Sequence, residues 1–197
     1  MTPVLALSSG AAAAIGAALE LGYPVVLKAV LPEISHKTEA GGVRVDVRNG
    51  DEVGKAYQEL CRQFRQRSLP VLVQKMVRGG REVILGSLQD RQFGTLIMFG
   101  LGGIFVEAMR DVTFRIHPIT NRDAQEMIAS LRSYALLKGF RGERGVDERV
   151  LVEMLLRLSQ LLSDFPEVEQ VDINPFIVAA RRRDSFAVDA RISLAPH

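Results

Sequence analysis

Three oxygen-bearing side chains near the carboxyl end of the chain, Asp172, Asn174 and Asp189, could together hold a divalent metal ion. Asp172 and Asn174 are two residues apart in the run 171–175, so on a strand they project from the same face. Asp189 lies in a second short apolar run, 186–190, and pairing of the two runs would bring the three side chains together. A few hard oxygen ligands suit Mg²⁺, which keeps some of its water and takes phosphate oxygens as further ligands. Considered alone, the same residues also fit a strand-end carboxylate followed by an Asn-Pro turn.

A lysine and a histidine earlier in the chain add groups that can handle phosphate. Lys28 lies on an apolar run that reads as a buried strand, and an ammonium in that position is a suitable point charge for a phosphate. His36 lies in the loop 31–42, which ends in a glycine pair, and a neutral histidine is nucleophilic near pH 7. Together with the oxygen donors, these residues point to a nucleotide-binding enzyme.

The periodicity of apolar residues predicts the elements that must position these groups. Gly22 is expected to end the first helix, Asp51 to cap the second, and Thr120 or Asn121 to cap the third. The helices are expected over 11–21, 51–67, 121–131 and 146–163. The strands are expected over 23–30, 42–47, 69–76, 81–88, 93–99, 103–107, 112–117, 168–179 and 185–192.

The order of these elements predicts an α+β architecture of two α/β lobes. Residues 1–77 would form the smaller lobe, and residues 78–197 a larger lobe rich in antiparallel strands. The carboxy-terminal hairpin with the metal-binding side chains would close the larger lobe. Sheets that face each other across a cleft commonly bind a small ligand there, so a nucleotide cleft is expected between the lobes.

Composition excludes several classes of protein. Apolar residues make up 47% and charged residues 24% of the 197 positions, which fits neither a disordered chain nor a membrane protein. The single cysteine, Cys61, excludes an internal disulfide and fits a reducing, cytoplasmic setting. The basic clusters at 62–67 and 181–183 are small, so no nucleic-acid partner is expected.

Six motifs occur in the order of a known family, although none is decisive by itself. They are Lys28, the run 35–43 (SHKTEAGGV), the run 74–77 leading into 80–83, the run 99–107 (FGLGGIFVE), the run 136–142 (LLKGFRG), and the run 172–175 (DINP). The set resembles the ATP-grasp domain of the nucleoside-diphosphate-forming acyl-CoA synthetases. These are the ADP-forming acetate–CoA ligases, related to the beta subunit of succinyl-CoA synthetase. The resemblance runs from about residue 10 to residue 194.

The resemblance implies a role for each matching residue. Lys28 would bind a nucleotide phosphate, and Glu82 would lie near the ribose. Gln74, Lys75, Met76 and Val77 match the family's hinge between the lobes, where the backbone reads the adenine edge. Asn174 and Asp189 match the metal ligands, Asp172 stands where the succinyl-CoA synthetases carry glutamate, and Arg115 is expected to face this region and clamp a phosphate.

His36 matches a histidine that carries phosphate in this family. It would receive phosphate from a phosphohistidine on the CoA-binding part and pass it to ADP. The other reading is that His36 is a solvent-facing loop residue that only helps to bind phosphate. His117 matches no motif and is interpreted as structural.

The chain departs from the family pattern in two respects. Residues 1–9 do not resemble the family's opening and are expected to be a leader outside it, so that the amino-terminal segment of the ATP-grasp fold is missing. The motifs of a CoA-binding domain and of a phosphohistidine domain are not found, so these parts are expected as partners in the same synthetase. Two alternatives stay open: a regulatory or scaffolding module of an acetyltransferase fusion, and a carboxylate–amine ligase of the same fold.

Overall fold

The computed structural model describes residues 5–31, 41–103, 111–139, 142 and 144–195. The chain divides into two compact units, Pro3–Arg78 and Gly79–His197. This division falls one residue after the lobe boundary that the sequence predicts. We refer to the two parts as the amino-terminal unit and the carboxy-terminal unit.

The amino-terminal unit is a four-stranded sheet with two helices on one face. Its strands lie in the order β1-β4-β2-β3, and each neighbouring pair is antiparallel. The elements are β1 (Leu5–Ser9), α1 (Ala11–Leu21), β2 (Val25–Ala29), β3 (Val43–Val47), α2 (Gly50–Gln63) and β4 (Pro70–Lys75).

The expectation of a leader before residue 10 is wrong for the first strand. Residues Leu5–Ser9 pair along their whole length with β4, from Leu5 opposite Gln74 to Ser9 opposite Pro70. A short polar-ended run gave no local signal for this strand, because its partner lies more than sixty residues away in the chain.

The helices of this unit are held by small and apolar side chains. Ala14 and Ala18 of α1 are fully buried, which lets the helix approach the sheet closely. The apolar face of α2, with Val53 and Leu60, completes the core against the strands. The helix is capped by Asn49 rather than by Asp51, because the Asn49 side chain accepts the hydrogen bond of the Glu52 amide at 2.9 Å.

The carboxy-terminal unit is a larger antiparallel sheet with a layer of helices. Its strands lie in the order β10-β8-β5-β6-β7, and a two-residue strand, β9, also pairs with β8. The elements are β5 (Arg81–Asp90), β6 (Gly94–Leu101), β7 (Val112–Ile116), α3 (Asn121–Ala129), α4 (Tyr134–Lys138), α5 (Glu148–Asp164), β8 (Val168–Val178), a 3-10 turn (Arg182–Asp184), β9 (Phe186–Ala187) and β10 (Ala190–Leu194).

The helices of this unit cover one face of the sheet. Alternate residues such as Leu85 and Phe99 point to that face and are fully buried in one core with Met127 and Leu155 of the helices. We call this the helix face, and we call the opposite side the open face. The α+β class is therefore confirmed, and the side chains at odd and even positions of each strand have different surroundings.

Polar contacts fix the ends of the helices. Thr120 caps α3 in a capping box with Asp123, as one of the two predicted caps. Asp111, which is 5% exposed, accepts hydrogen bonds from the amides of Arg132 at 3.0 Å and Ser133 at 2.8 Å, and from the Ser133 hydroxyl. This contact joins the start of β7 to the turn that leads into α4.

A second polar contact closes the loop after α4. Glu148 accepts a hydrogen bond from the Tyr134 hydroxyl and forms an ion pair with Lys138, both at 2.9 Å. The pKa of Lys138 is raised by its contacts with Tyr134 and Glu148.

None of the helices in the described part of the chain has the length and apolar character that crossing a lipid bilayer requires.

Candidate functional site

In the amino-terminal unit, Lys28 and Gln74 project from the sheet face opposite α1 and α2. Lys28 lies directly opposite Leu72, and Gln74 lies opposite Val26, whereas the alternate residue Leu27 belongs to the core under the helices. Lys28 and Gln74 are therefore diagonal neighbours on adjacent strands, about 7 Å apart. Both are buried, with exposed fractions of 5% and 2%. A buried ammonium on this face is a candidate for binding an anion.

The hinge run 74–77 is already partly committed to the fold. The Lys75 ammonium donates to the carbonyl oxygens of Gly22 at 2.7 Å and Tyr23 at 3.0 Å, just after the end of α1. The Met76 amide donates to the carbonyl of Pro24 at 3.1 Å. The Lys75 side chain thus has a structural role. Any contribution of Lys75 and Met76 to nucleotide binding has to come from their other groups.

In the carboxy-terminal unit, the three predicted metal ligands share the open face. Asp172 lies opposite Gly86 of β5, and Asn174 follows two residues later, just where the register between β8 and β5 shifts. The Asn174 amide donates to the carbonyl of Asp189 at 3.1 Å, so these two residues stand opposite each other. The pairing of the two apolar runs therefore occurs as the sequence predicts, and it gathers three oxygen-bearing side chains.

Glycines keep the space beside these donors free of side chains. A Cβ atom at Gly86 would lie 2.7 Å from the carbonyl oxygen of Val171, so no larger residue fits opposite Asp172 without a shift of the strands. At Gly102, a Cβ atom would lie 2.9 Å from the Cβ atom of Glu82. Glycines are thus required beside Asp172 and beside Glu82 on the open face.

Glu82 joins the same face at the other end of β5. It precedes the helix-face residue Val83, and its carbonyl accepts the amide hydrogen of Gly102 at 2.7 Å. Four residues along a strand separate Glu82 from Gly86, which corresponds to about 13 Å. An elongated ligand on this face could therefore contact Glu82 at one end and Asp172 at the other.

The expectation that Arg115 faces this region is wrong. Arg115 lies opposite Ile97 on the helix face. Thr113, two residues earlier, is on the same face, and its hydroxyl donates to the Met127 carbonyl of α3 at 3.1 Å. The Arg115 guanidinium forms an ion pair with Glu126 of α3 at 3.7 Å. Residues 112, 114 and 116 point to the open face instead, which excludes Arg115 from the cluster of oxygen donors.

The register brings Arg191 to the cluster in its place. Arg191 lies directly opposite Asp172 on β10 and two residues after Asp189, so all three share the open face. Arg191 was not singled out from the sequence. The spacing of Asp189 and Arg191 could have indicated it, since residues two apart on a strand point to the same face.

Two of the predicted features fall outside the described residues. His36 lies in the run 32–40, and the expected strand 103–107 lies almost wholly in the run 104–110. His117 is described: its ring nitrogens are 3.2 Å from the Ser159 hydroxyl and 3.3 Å from the Ser163 hydroxyl. These contacts tie the end of β7 to α5, which agrees with a structural role.

The chemistry of the oxygen donors fits a hard divalent cation. Two carboxylates and one amide oxygen leave room for water and for phosphate oxygens, which is the ligand set that Mg²⁺ accepts. No group of three or more His, Cys, Asp or Glu side chains in the described part of the chain could hold a metal by itself. A site at this place therefore depends on Asn174 and on ligands from a bound molecule.

Comparison with known proteins identifies relatives of this chain. Residues 2–194 match the model of a family described as ATP-grasp domain. The chain is 42% identical over 197 residues to the 4-hydroxybutyrate–CoA ligase (ADP-forming) of Nitrosopumilus maritimus, of which it spans 28%. It is 42% identical over 180 residues to subunit beta of acetate–CoA ligase (ADP-forming) I of Pyrococcus furiosus. There the match covers 89% of this chain and 77% of the relative.

A solved structure has the same fold. It is the acetyl-coenzyme A synthetase 1 of Ca. Korarchaeum cryptofilum with coenzyme A and Mg-AMPPCP, its phosphohistidine segment pointing towards the nucleotide binding site. The TM-score is 0.81 and the identity 40%, over 98% of this chain and 85% of that one. The chain thus corresponds to one part of larger acyl-CoA-forming enzymes, about a quarter of the single-chain relative and three quarters of the separate subunit.

Proposed function

This chain belongs to the ATP-grasp domain family, and we propose that it is the nucleotide-binding part of an ADP-forming acyl-CoA synthetase. The net reaction is acyl-CoA + ADP + phosphate ⇌ acid + CoA + ATP. The chain supplies the half of this reaction in which a phosphoryl group passes to or from the nucleotide. The observation that carries the proposal is the gathering of Asp172, Asn174 and Asp189 on one sheet face, opposite a glycine that leaves the face open.

Each unit, taken by itself, carries side chains that suit a nucleotide. In the amino-terminal unit, the buried Lys28 ammonium neutralises a phosphate, and the run 74–77 contacts the base. In the carboxy-terminal unit, Glu82 accepts hydrogen bonds from the ribose hydroxyls. Since Glu82 and Asp172 lie about 13 Å apart along the strand direction, they would contact opposite ends of the same nucleotide.

Asp172, Asn174 and Asp189 would hold Mg²⁺ at the phosphate end. The ion, when bound, offsets the negative charge that develops during phosphoryl transfer. The contribution of this chain is to fix its three oxygen atoms on adjacent strands, because the backbone hydrogen bond between Asn174 and Asp189 holds the two strands in register.

The partner of this chain would be the CoA-binding part of the same synthetase, either fused to it or as a separate subunit. The chain spans 28% of one relative and 77% of another that is named as a subunit beta, and either arrangement is compatible with these lengths. His36 would receive phosphate from a phosphohistidine of that partner and transfer it to ADP. The acyl group is chosen by the partner, so the residues of this chain do not specify it.

The proposal is tested by nucleotide binding. Isothermal titration of this chain with ADP is expected to show binding that depends on Mg²⁺. Lys28→Met keeps the apolar stem of the buried side chain and removes its charge. The substitution is expected to weaken ADP binding by about 1–3 kcal/mol, the scale of a hydrogen bond to a charged group.

Lys55→Ala is the matched control, because Lys55 is exposed on α2, on the opposite side of the same sheet. Its affinity for ADP is expected to equal that of the unsubstituted chain. If the folded chain binds neither ADP nor ATP in the presence of Mg²⁺, the proposed function is wrong.

A further inference from the structure

Arg191 is a cationic side chain in the middle of an acidic cluster. It lies directly opposite Asp172 and two residues from Asp189, on the open face of the sheet. It is exposed, and within the described part of the chain its side chain makes no recorded hydrogen bond or ion pair. By contrast, Arg115 on the helix face is paired with Glu126, and Arg182 of the neighbouring turn is paired with Glu153.

We propose that Arg191 binds a phosphate oxygen of the nucleotide and so takes the role that the sequence assigned to Arg115. This inference rests on the proposed function, since it assumes a nucleotide phosphate at the three oxygen donors. The guanidinium group presents planar, paired N–H donors that match phosphate oxygens, and it keeps its charge at any relevant pH. Its position on β10 lets it approach a phosphate from the side away from β5.

An ion pair with Asp172 is the simpler role for Arg191, and the two roles differ in energy. An exposed pair between neighbouring strands contributes little to stability, because water screens both charges. Loss of such a pair alone would predict neither a gain nor a loss of affinity for the nucleotide. A phosphate that lies between the guanidinium and a divalent cation is attracted by both. Its negative charge also offsets the repulsion between these two positive groups.

Removing the charge of Arg191 should therefore change two affinities in opposite directions, the affinity for the metal ion alone and the affinity for the nucleotide. Without a nucleotide, the Arg191 cation repels a divalent cation at the adjacent donors, so removing its charge strengthens binding of the metal alone. With a nucleotide, removing the same charge weakens binding, because one of the two cations that hold the phosphate is lost. A residue that merely stabilises the strand would shift both affinities in the same direction or leave both unchanged.

The experiment compares Arg191→Gln with the unsubstituted chain in three titrations. The ligands are ADP with Mg²⁺, adenosine, and Mn²⁺ alone, the last followed by its paramagnetic signal. Arg191→Gln is expected to raise the Kd for ADP about tenfold, the scale of one charged hydrogen bond. It is expected to leave the Kd for adenosine within about twofold and to lower the Kd for Mn²⁺.

Two variants serve as controls. Arg191→Lys keeps the charge and is expected to recover most of the affinity for ADP, which separates charge from strand stability. Arg115→Gln removes an arginine from the other face of the same sheet and is expected to change none of the three affinities.

The outcomes separate this inference from the function on which it rests. If the unsubstituted chain does not bind ADP, the proposed function is wrong and the role of Arg191 with it. If it binds ADP but Arg191→Gln binds ADP equally well, only the role of Arg191 is overturned. Equal losses for ADP, adenosine and Mn²⁺ in Arg191→Gln would also overturn it, because they indicate a structural effect.

Discussion

At the scale of single residues, the proposed metal site depends on the facing pair Asn174 and Asp189. Their backbone hydrogen bond, at 3.1 Å, fixes the separation of the two strands at this point. The backbone at these two positions is therefore ordered before a cation binds, and only the two side chains have to be immobilised on binding. The negative charge of the proposed site comes from the carboxylates of Asp172 and Asp189. Asp189 is the carboxylate that faces Asn174, so its loss should affect metal binding directly.

Asp189→Ala is expected to abolish the effect of Mg²⁺ on nucleotide binding. In the unsubstituted chain, the affinity for ADP should fall by about tenfold or more when Mg²⁺ is removed by a chelator. In the variant, the affinities with and without Mg²⁺ should be equal, since the ion has lost one of its ligands. The measurement is isothermal titration with ADP under both conditions.

Asp184→Ala is the control for this variant, because Asp184 is an exposed carboxylate in the 3-10 turn of the same hairpin. It should keep the full dependence on Mg²⁺. A dependence on Mg²⁺ that survives in Asp189→Ala would remove Asp189 from the set of ligands.

At the scale of elements, Asp111 joins β7 to the helix layer of the carboxy-terminal unit. Its carboxylate receives the amides of Arg132 and Ser133 as well as the Ser133 hydroxyl, at the turn before α4. Burial raises the pKa of Asp111, but the hydrogen bonds from Ser133 and Arg132 outweigh it, so the pKa is lowered overall. The link keeps β7 against the helices, and β7 borders β6 in the sheet that carries the oxygen donors.

Asp111→Asn is expected to lower the free energy of unfolding by about 1–3 kcal/mol, because an amide group cannot accept all of these hydrogen bonds. Unfolding in urea, followed by circular dichroism, measures the change. Asp90→Asn is the control: Asp90 also accepts two backbone amides, those of Gln92 and Phe93, but in an exposed hairpin. Its effect should stay below about 1 kcal/mol, and equal effects of the two substitutions would contradict a special role of Asp111.

The same contact predicts how stability depends on pH. A carboxylate whose pKa is lowered in the folded state stabilises the fold at pH values above its unfolded pKa, near 3.8 for Asp111. This contribution is lost as the pH falls through the lower pKa of the folded state. The difference in stability between the unsubstituted chain and Asp111→Asn should therefore be constant near neutral pH and shrink below about pH 4.

At the scale of the whole molecule, the proposed reaction requires phosphate to travel between parts of the synthetase. Each unit of this chain has a core of its own. In the proposed synthetase, the CoA-binding chemistry belongs to a further part. We propose that His36, the residue of this chain whose motif fits the task, carries phosphate between that part and the nucleotide.

Phosphate is expected on His36 when the complete synthetase is supplied with acetyl-CoA and phosphate. The sample is quenched in base, where phosphohistidine is stable, and the modified peptide is found by mass spectrometry. Adding ADP should discharge it. His36→Asn should block ATP formation while leaving the affinity for ADP within about tenfold of the unsubstituted protein, or 1.4 kcal/mol.

Normal ATP formation by His36→Asn would show that His36 is not a relay. Direct transfer from the phosphohistidine of the partner to ADP would then be the better mechanism. His117→Asn is the control for loss of a histidine, because the contacts of His117 with Ser159 and Ser163 are structural.

The sequence by itself determined the elements and the grouping of the oxygen donors. Strong apolar periodicity and local caps place α1, α3 and α5 within a few residues of the predicted bounds, because helix formation depends on neighbours in the chain. The approach of Asp172, Asn174 and Asp189 was also predictable, since the two runs that carry them form a hairpin. The strand β1 was missed because its partner is distant in the chain.

The tertiary structure decided which side of each sheet can carry a ligand. Alternation shows which residues share a face, but it does not show which face the helices cover. This is why Arg115 was expected beside the oxygen donors, whereas packing commits its side chain to Glu126. Arg191 reaches the cluster for the same reason. Its face is set by the register of β10 against β8 and by the helices that cover the opposite side, and both depend on contacts between residues far apart in the chain.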